Sequence, residues 1–205
     1  MNPALAFARS RDLPRAALIC LVIALATTAF AGSQVDFPDF RYLVDFGVPV
    51  AAIAPVAYAI VLGTTLFTPM ADLELTAAQP MHRHRALHLT GLALLAVLLT
   101  ALPLPAGLPF PVFVTAARNA VGYLGLAMIS GRLFGSGLAW LLPLGTFGPT
   151  LLLGVGRDST PEWWAWSLPP ATDPGAAVIA ALLWTAGLLL AATASPRKTE
   201  RAEAA

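Results

Sequence analysis

Charged residues fall along the chain in clumps, and between the clumps run long stretches of apolar and small residues. Twenty uncharged residues separate Arg15 from Asp36, 21 more run from Phe46 to Leu66, and no formal charge interrupts Ala86 to Ala117. At ~1.5 Å per residue a helix of ~20 residues crosses the ~30 Å hydrocarbon core of a bilayer. The third stretch contains "LPLPAGLPFP" (102–111), whose prolines remove amide donors and clash with the preceding turn, so it predicts two helices joined by a tight outer turn. The pattern predicts six spans: one after Arg15, then Phe46 to Leu66, Ala86 to Leu104, Val112 to Gly131, Leu133 to Val155 with kinks at Pro143 and Pro149, and Gly175 to Ala194. The expected fold class is all-α, a single transmembrane domain over 1–205. It divides into an interfacial segment (1–14), a six-span bundle (15–194) and a charged, cytoplasmic tail (195–205).

Composition agrees with lipid as the solvent, since 58% of the 205 residues are hydrophobic and only 11% are charged, with a mean hydropathy of +0.74. The placement of charge gives an orientation. With the amino terminus inside, Arg9, Arg11, Arg15, Arg83, Arg85, Arg132, Arg197, Lys198 and Arg201 are cytoplasmic, and only Arg41 and Arg157 face out. This is the bias of the positive-inside rule, and both termini are then cytoplasmic in a bacterial plasma membrane. A competing reading takes Arg9, Arg11 and Arg15 plus the run ending "AFAGS" as a cleavable signal peptide, but the run is longer than the ~7 to 15 residues of such a core. No basic stripe interleaves with aromatics, so a nucleic-acid partner is not expected. The lone cysteine, Cys20, forms no intrachain disulfide.

One polar island breaks the apolar pattern, "DLELTAAQPMHRHRALHL" at 72–89. Thr68 is placed to cap a helix, Pro69 suits its first position, Asp72 lies near the positive end of its dipole, and Pro80 stops it. A short cytoplasmic helix over 69–79 is expected between spans two and three. Met70, Leu73, Ala77 and Met81 share one face, and Asp72 and Glu74 point elsewhere. Two readings stand: a helix on the inner membrane surface anchored by His82, Arg83, His84 and Arg85, or a docking knob for a cytoplasmic protein. His84 and His88 are four apart, but no Glu or Cys completes a metal site, and no metal is expected.

Two further features are candidates for function. Arg118 and Asn119 lie within the fourth span, where a charge is costly, so they line a functional path or Arg118 snorkels to the outer interface. Gly122 and Gly125, one turn on, point to close helix packing. In "STPEWWAWSLPP" (159–170) Thr160, Pro161 and Glu162 predict the start of a short helix. Trp163, Trp164 and Trp166 then sit at the outer headgroup level, as an aromatic belt or a re-entrant lid. Trp140 and Trp184 read as packing residues.

Much chemistry is missing from this inventory. A P-loop needs a lysine after a glycine-rich loop, and the only lysine stands in "PRKTE", so the chain is expected to hold no ATPase site and no cofactor of its own. The expected spans carry no carboxylates of the kind ion-coupled transporters use. No GxSxG elbow and no clustered acids support a membrane enzyme.

Taken with "DLE" at Asp72 to Glu74, Ala78, Pro80, Arg85, His88, "RN" at 118–119 and "WWAW" at 163–166, the six-span layout resembles the membrane (permease) subunits of type-2 ABC exporters, the small actinobacterial members above all. The resemblance implies that Pro69, Met70, Asp72, Leu73, Glu74 and Ala77 form a coupling helix seated on a separate ATPase subunit, which would supply ATP and Mg. It implies a path formed with a second six-span subunit, as a homo- or heterodimer, with Arg118, Asn119, Trp163, Trp164 and Trp166 as path or gate residues. The loops here are short for that family. The alternative is a non-transporting scaffold or regulatory subunit of a membrane complex.

Overall fold

The structure, a computed structural model, describes residues 11–41, 44–66 and 81–192. Among them are six α-helices: α1 (Leu13–Ala29), α2 (Val50–Gly63), α3 (Met81–Ala101), α4 (Phe110–Phe134), α5 (Leu141–Leu153) and α6 (Pro174–Ala192). The two strands β1 (Gln34–Asp39) and β2 (Val44–Pro49) form an antiparallel hairpin between α1 and α2. The helix expected at 69–79, with Pro69, Met70, Asp72, Leu73, Glu74 and Ala77, lies outside the described residues. So do most of the amino-terminal segment and the tail.

Among the described residues, three helices are long and apolar enough to cross a membrane: α3 with the turn after it (Arg85–Ala106), α4 (Phe110–Phe134) and α6 (Pro174–Ala191). The distribution of side-chain size identifies the solvent. In α1 the buried positions are Ala16, Cys20, Ala24 and Thr27, whereas Leu18, Ile19, Leu21, Val22 and Leu25 are exposed. In α6, Ala176, Ala180 and Gly187 face inward while Val178, Leu182 and Leu189 face out. A water-soluble bundle would bury its large aliphatics; small residues at helix contacts and leucines outside are the arrangement of helices packed in lipid. The chain is therefore a membrane protein, mostly helical.

α4 is the hub, packed against α2, α3, α5 and α6. Its tightest partner is α6, because a Cβ on Gly125 would lie 2.5 Å from the Leu183 backbone and one on Gly187 would lie 2.6 Å from the Gly125 carbonyl oxygen. The close packing expected at Gly122 and Gly125 is thus present, with Trp166 filling the space over Gly122. α4 ends at Gly135, whose φ of 98° is open to glycine and strained for other residues. From there Ser130, fully buried in α4, accepts from the Leu142 amide at 3.2 Å and donates to the Leu138 carbonyl at 2.6 Å. One hydroxyl thereby satisfies both a loop carbonyl and an orphan amide in the first turn of α5.

The bundle has two ends. The hairpin, the 102–109 turn and the 154–173 loop share one; the 135–140 turn and the flanks of segment 67–80 share the other. The turn between α3 and α4 forms where the prolines place it, as a 3-10 turn at Leu104–Ala106 closed by Gly107 at φ 95°.

Several expectations are corrected. The fold is mostly helical as expected, but a hairpin accompanies the helices: residues 46–49, expected inside span two, belong to β2, so α2 has only 14 residues. Phe37 pairs across the hairpin with Phe46, and Val48 beside them is buried against Leu151. Residues 133–155 are not one helix, since α4 runs to Phe134 and a 3-10 turn at Ser136–Leu138 precedes the 13-residue α5. Pro143 lies in the first turn of α5, where a missing amide costs nothing; Pro149 is inside the helix. The helix expected from Thr160 to Glu162 does not form, and the segment is a bridge from Val155 to Pro161 followed by turns.

Candidate functional site

At the end of the bundle that carries the hairpin, the 154–173 loop folds down onto α4 and is fastened there by polar groups. Arg118 and Asn119 are neighbours on α4, and Asn119 is almost fully buried. The Asn119 side-chain amide donates to the Ser167 carbonyl at 2.9 Å, and its own oxygen accepts from Arg118 Nε at 3.2 Å and Nη2 at 3.1 Å. The half-buried Arg118 guanidinium also donates to Pro169 O at 2.9 Å, Pro170 O at 3.2 Å and Ser167 O at 3.4 Å. One turn deeper, the Tyr123 hydroxyl donates to Ser167 Oγ at 2.9 Å. Three carbonyls that a turn would leave to water are thus satisfied inside the protein.

Of the two roles open for Arg118, neither a bare lining nor a simple snorkel describes this geometry. The cation is a clamp on loop carbonyls, with Asn119 orienting it. It has no carboxylate within ion-pair distance among the described residues. Asp173, whose field reaches it, is engaged as the N-cap of α6 through the Ala176 amide at 2.8 Å.

The tryptophans separate. Trp166 is buried, its ring 5.0 Å from that of Tyr123 and tilted by 49°, while Tyr123 meets Phe147 edge-on at 6.1 Å. Trp164 is half-buried, and Trp163 projects outward at 85% exposure. Trp164 and Trp166 border a groove of about 350 Å³ against Leu126, Gly145, Thr146 and Ile179. Trp184 is part of the core packing and Trp140 is exposed at the far end.

A second fastening holds the same loop from the hairpin. Arg41 donates to the carbonyls of Leu153 and Val155 at the end of α5 and pairs with Glu162 at 3.5 Å. A cation on the last carbonyls of a helix complements its dipole. Glu162, expected to favour a helix start, is instead the partner of Arg41.

Of the five path or gate candidates offered by the sequence, Arg118, Asn119 and Trp166 lie under or within the same loop contact, Trp164 borders the groove and Trp163 projects away. Sequence reasoning missed Tyr123, Ser167 and Arg41. Polar residues flanking "WWAW" and a tyrosine one turn past "RN" were the available signals.

At the opposite end, Arg11 is buried and its Nη1 donates to the Leu66 carbonyl at 2.7 Å. His88 Nε2 lies 3.3 Å from the carbonyl oxygen of Thr65, itself fully buried. Both carbonyls immediately precede segment 67–80. Compared with protein-family models, curated proteins and solved structures, the chain matches none.

Proposed function

We propose that the chain is the transmembrane subunit of an ABC-type exporter, forming a path as a dimer and driven by separate ATPase subunits. In this reading all six helices cross the membrane, with both termini and segment 67–80 inside. The shorter α2, roughly 21 Å long at 14 residues, is extended by β2 at its outer end and by Thr64 to Leu66 at its inner end. Arg41, Arg118 and Arg157 are then outer cations, and Arg11, Arg85 and Arg132 inner ones.

The observation that carries the proposal is the anchoring of the residues that lead into segment 67–80. Arg11 at the start of α1 and His88 on α3 grip the carbonyls of Leu66 and Thr65, the last described residues of α2's end. A force applied to segment 69–79 by a partner bound to Asp72 and Glu74 would reach α1, α2 and α3 together. At the other end, the clamped loop with Trp163, Trp164 and Trp166 covers the hub helix and serves as the outer gate.

The test is affinity purification of the full chain in mild detergent. A nucleotide-binding protein is expected with it, and Asp72→Lys with Glu74→Lys should weaken that association about tenfold, as loss of ~1.4 kcal/mol of contact would. Membrane insertion should be unchanged. Recovery of other membrane chains alone, indifferent to nucleotide, would replace this reading with a non-transporting scaffold.

A further inference from the structure

α5 and α6 both pack on α4 but scarcely touch one another, which leaves the groove beneath Trp164 and Trp166 open sideways. Its floor is Leu126, and its walls are Gly145 and Thr150 on one side and Ile179 on the other. At about 350 Å³ it lies toward the small end of ligand sites, ~300–1,000 Å³. A Cβ added at Gly145 would meet nothing within 4 Å, so the notch beside that glycine is vacant of protein. Gly145 is exposed, and at membrane depth the medium that fills the space beside it is hydrocarbon.

Charge fixes which hydrocarbon. Arg118, Gly122 and Leu126 recur every four residues and so share a face of α4. Eight residues separate the guanidinium from the groove floor, ~12 Å along the axis. The cation therefore stands toward the hairpin end of the bundle, with the Trp166 ring over Gly122 between it and the apolar slot, with no carboxylate in ion-pair distance among the described residues and only neutral oxygens as acceptors. Of its two Nη1 protons only one is engaged, by Pro170. A positive charge above a sideways-open apolar slot is complementary to a phosphate above an acyl chain.

We propose that this corner binds a phospholipid of the leaflet at the hairpin end of the bundle, its phosphate at Arg118 and one acyl chain in the slot between α5 and α6. The proposal needs only that the protein sits in a bilayer, and it stands whether or not an ATPase partner exists.

The test uses the full chain in phosphatidylcholine vesicles containing a little phosphatidylglycerol with a diazirine midway along one chain. After irradiation, adducts should concentrate on Gly145 to Thr150 and Ile179 to Leu183 rather than on the lipid-facing Leu18 to Leu25 of α1. Gly145→Trp should lower slot labelling about tenfold and leave α1 labelling unchanged; Gly145→Leu serves if the larger side chain impairs folding. A diacylglycerol with the same chain should show no preference for the slot. Arg118→Gln should bring the phospholipid to that pattern, with partial rescue in Arg118→Lys. Equal labelling of both faces, indifference to Gly145→Trp, or a diacylglycerol that labels as well as the phospholipid would overturn the proposal. So would displacement by inorganic phosphate, or crosslinks in the slot to a second copy of the chain.

Discussion

Asn119 has the least freedom to change. Its buried side chain both accepts from Arg118 and donates to the Ser167 carbonyl, so Asn119→Leu leaves Arg118 Nε without its partner and the Ser167 carbonyl with only the long bond from Arg118. The expected loss is roughly 1–3 kcal/mol per buried group left unsatisfied, read as thermal stability in detergent and as faster proteolysis within 156–168. Tyr123→Phe removes one hydroxyl bond and should cost less, about 0.5–1.5 kcal/mol. Combined with Ser167→Ala it should add little, because both variants delete the same bond. Arg41→Ala should destabilise more than Glu162→Gln. The carbonyl bonds at the end of α5 are the larger loss, whereas the ion pair, one-third exposed on each side, is screened by water. The sequence made Arg118 and Asn119 conspicuous because a charge in an apolar run is costly. Ser167, 44 residues beyond Tyr123, is an ordinary serine until the loop folds back, and no local pattern encodes that return.

Among the elements, the α4–α6 crossing and the α5 notch make opposite predictions for the same kind of substitution. Gly125→Leu places a side chain where the Leu183 backbone already lies, 2.5 Å from even a Cβ, and should cost 1–3 kcal/mol or more by forcing the helices apart. Gly145→Leu meets open space and should be neutral or stabilising by up to about 1 kcal/mol, since leucine is the better helix former. Paired thermal melts in one detergent decide both. Helix positions were legible wherever prolines or glycines punctuated the runs, as at 102–111. The hairpin was passed over because Phe46 to Pro49 is as uncharged as the helix it leads into. A signal did exist: "QVDF" (34–37) alternates polar and apolar residues with the period of a strand, although Pro38 in β1 breaks the alternation and masks it. α5 was read as longer than it is because the charge that divides the apolar runs, Arg132, lies inside α4, and only Gly135 marks the true break.

For the whole molecule, the topology is open to a direct check. Cys20 is fully buried, so a membrane-impermeant maleimide should leave the wild-type chain unlabelled in intact cells. A cysteine at Gly107 should label from outside, and one at Gly137 only after permeabilisation; the reverse result would invert the orientation. The lipid-facing leucines of α1 and α6 were foreshadowed by composition, whereas the choice of α4 as hub rests on which small faces meet and was not. One consequence concerns thickness. α5 is 13 residues long and reaches roughly 20 Å, whereas α4, with 25 residues, reaches about 37 Å. A bilayer of uniform depth cannot suit both, so the membrane should pinch on the flank where α5 and the hairpin lie. Chains of shorter lipids would relieve that deformation, and the protein should therefore melt at higher temperature in thin membranes than in thick, sterol-like ones.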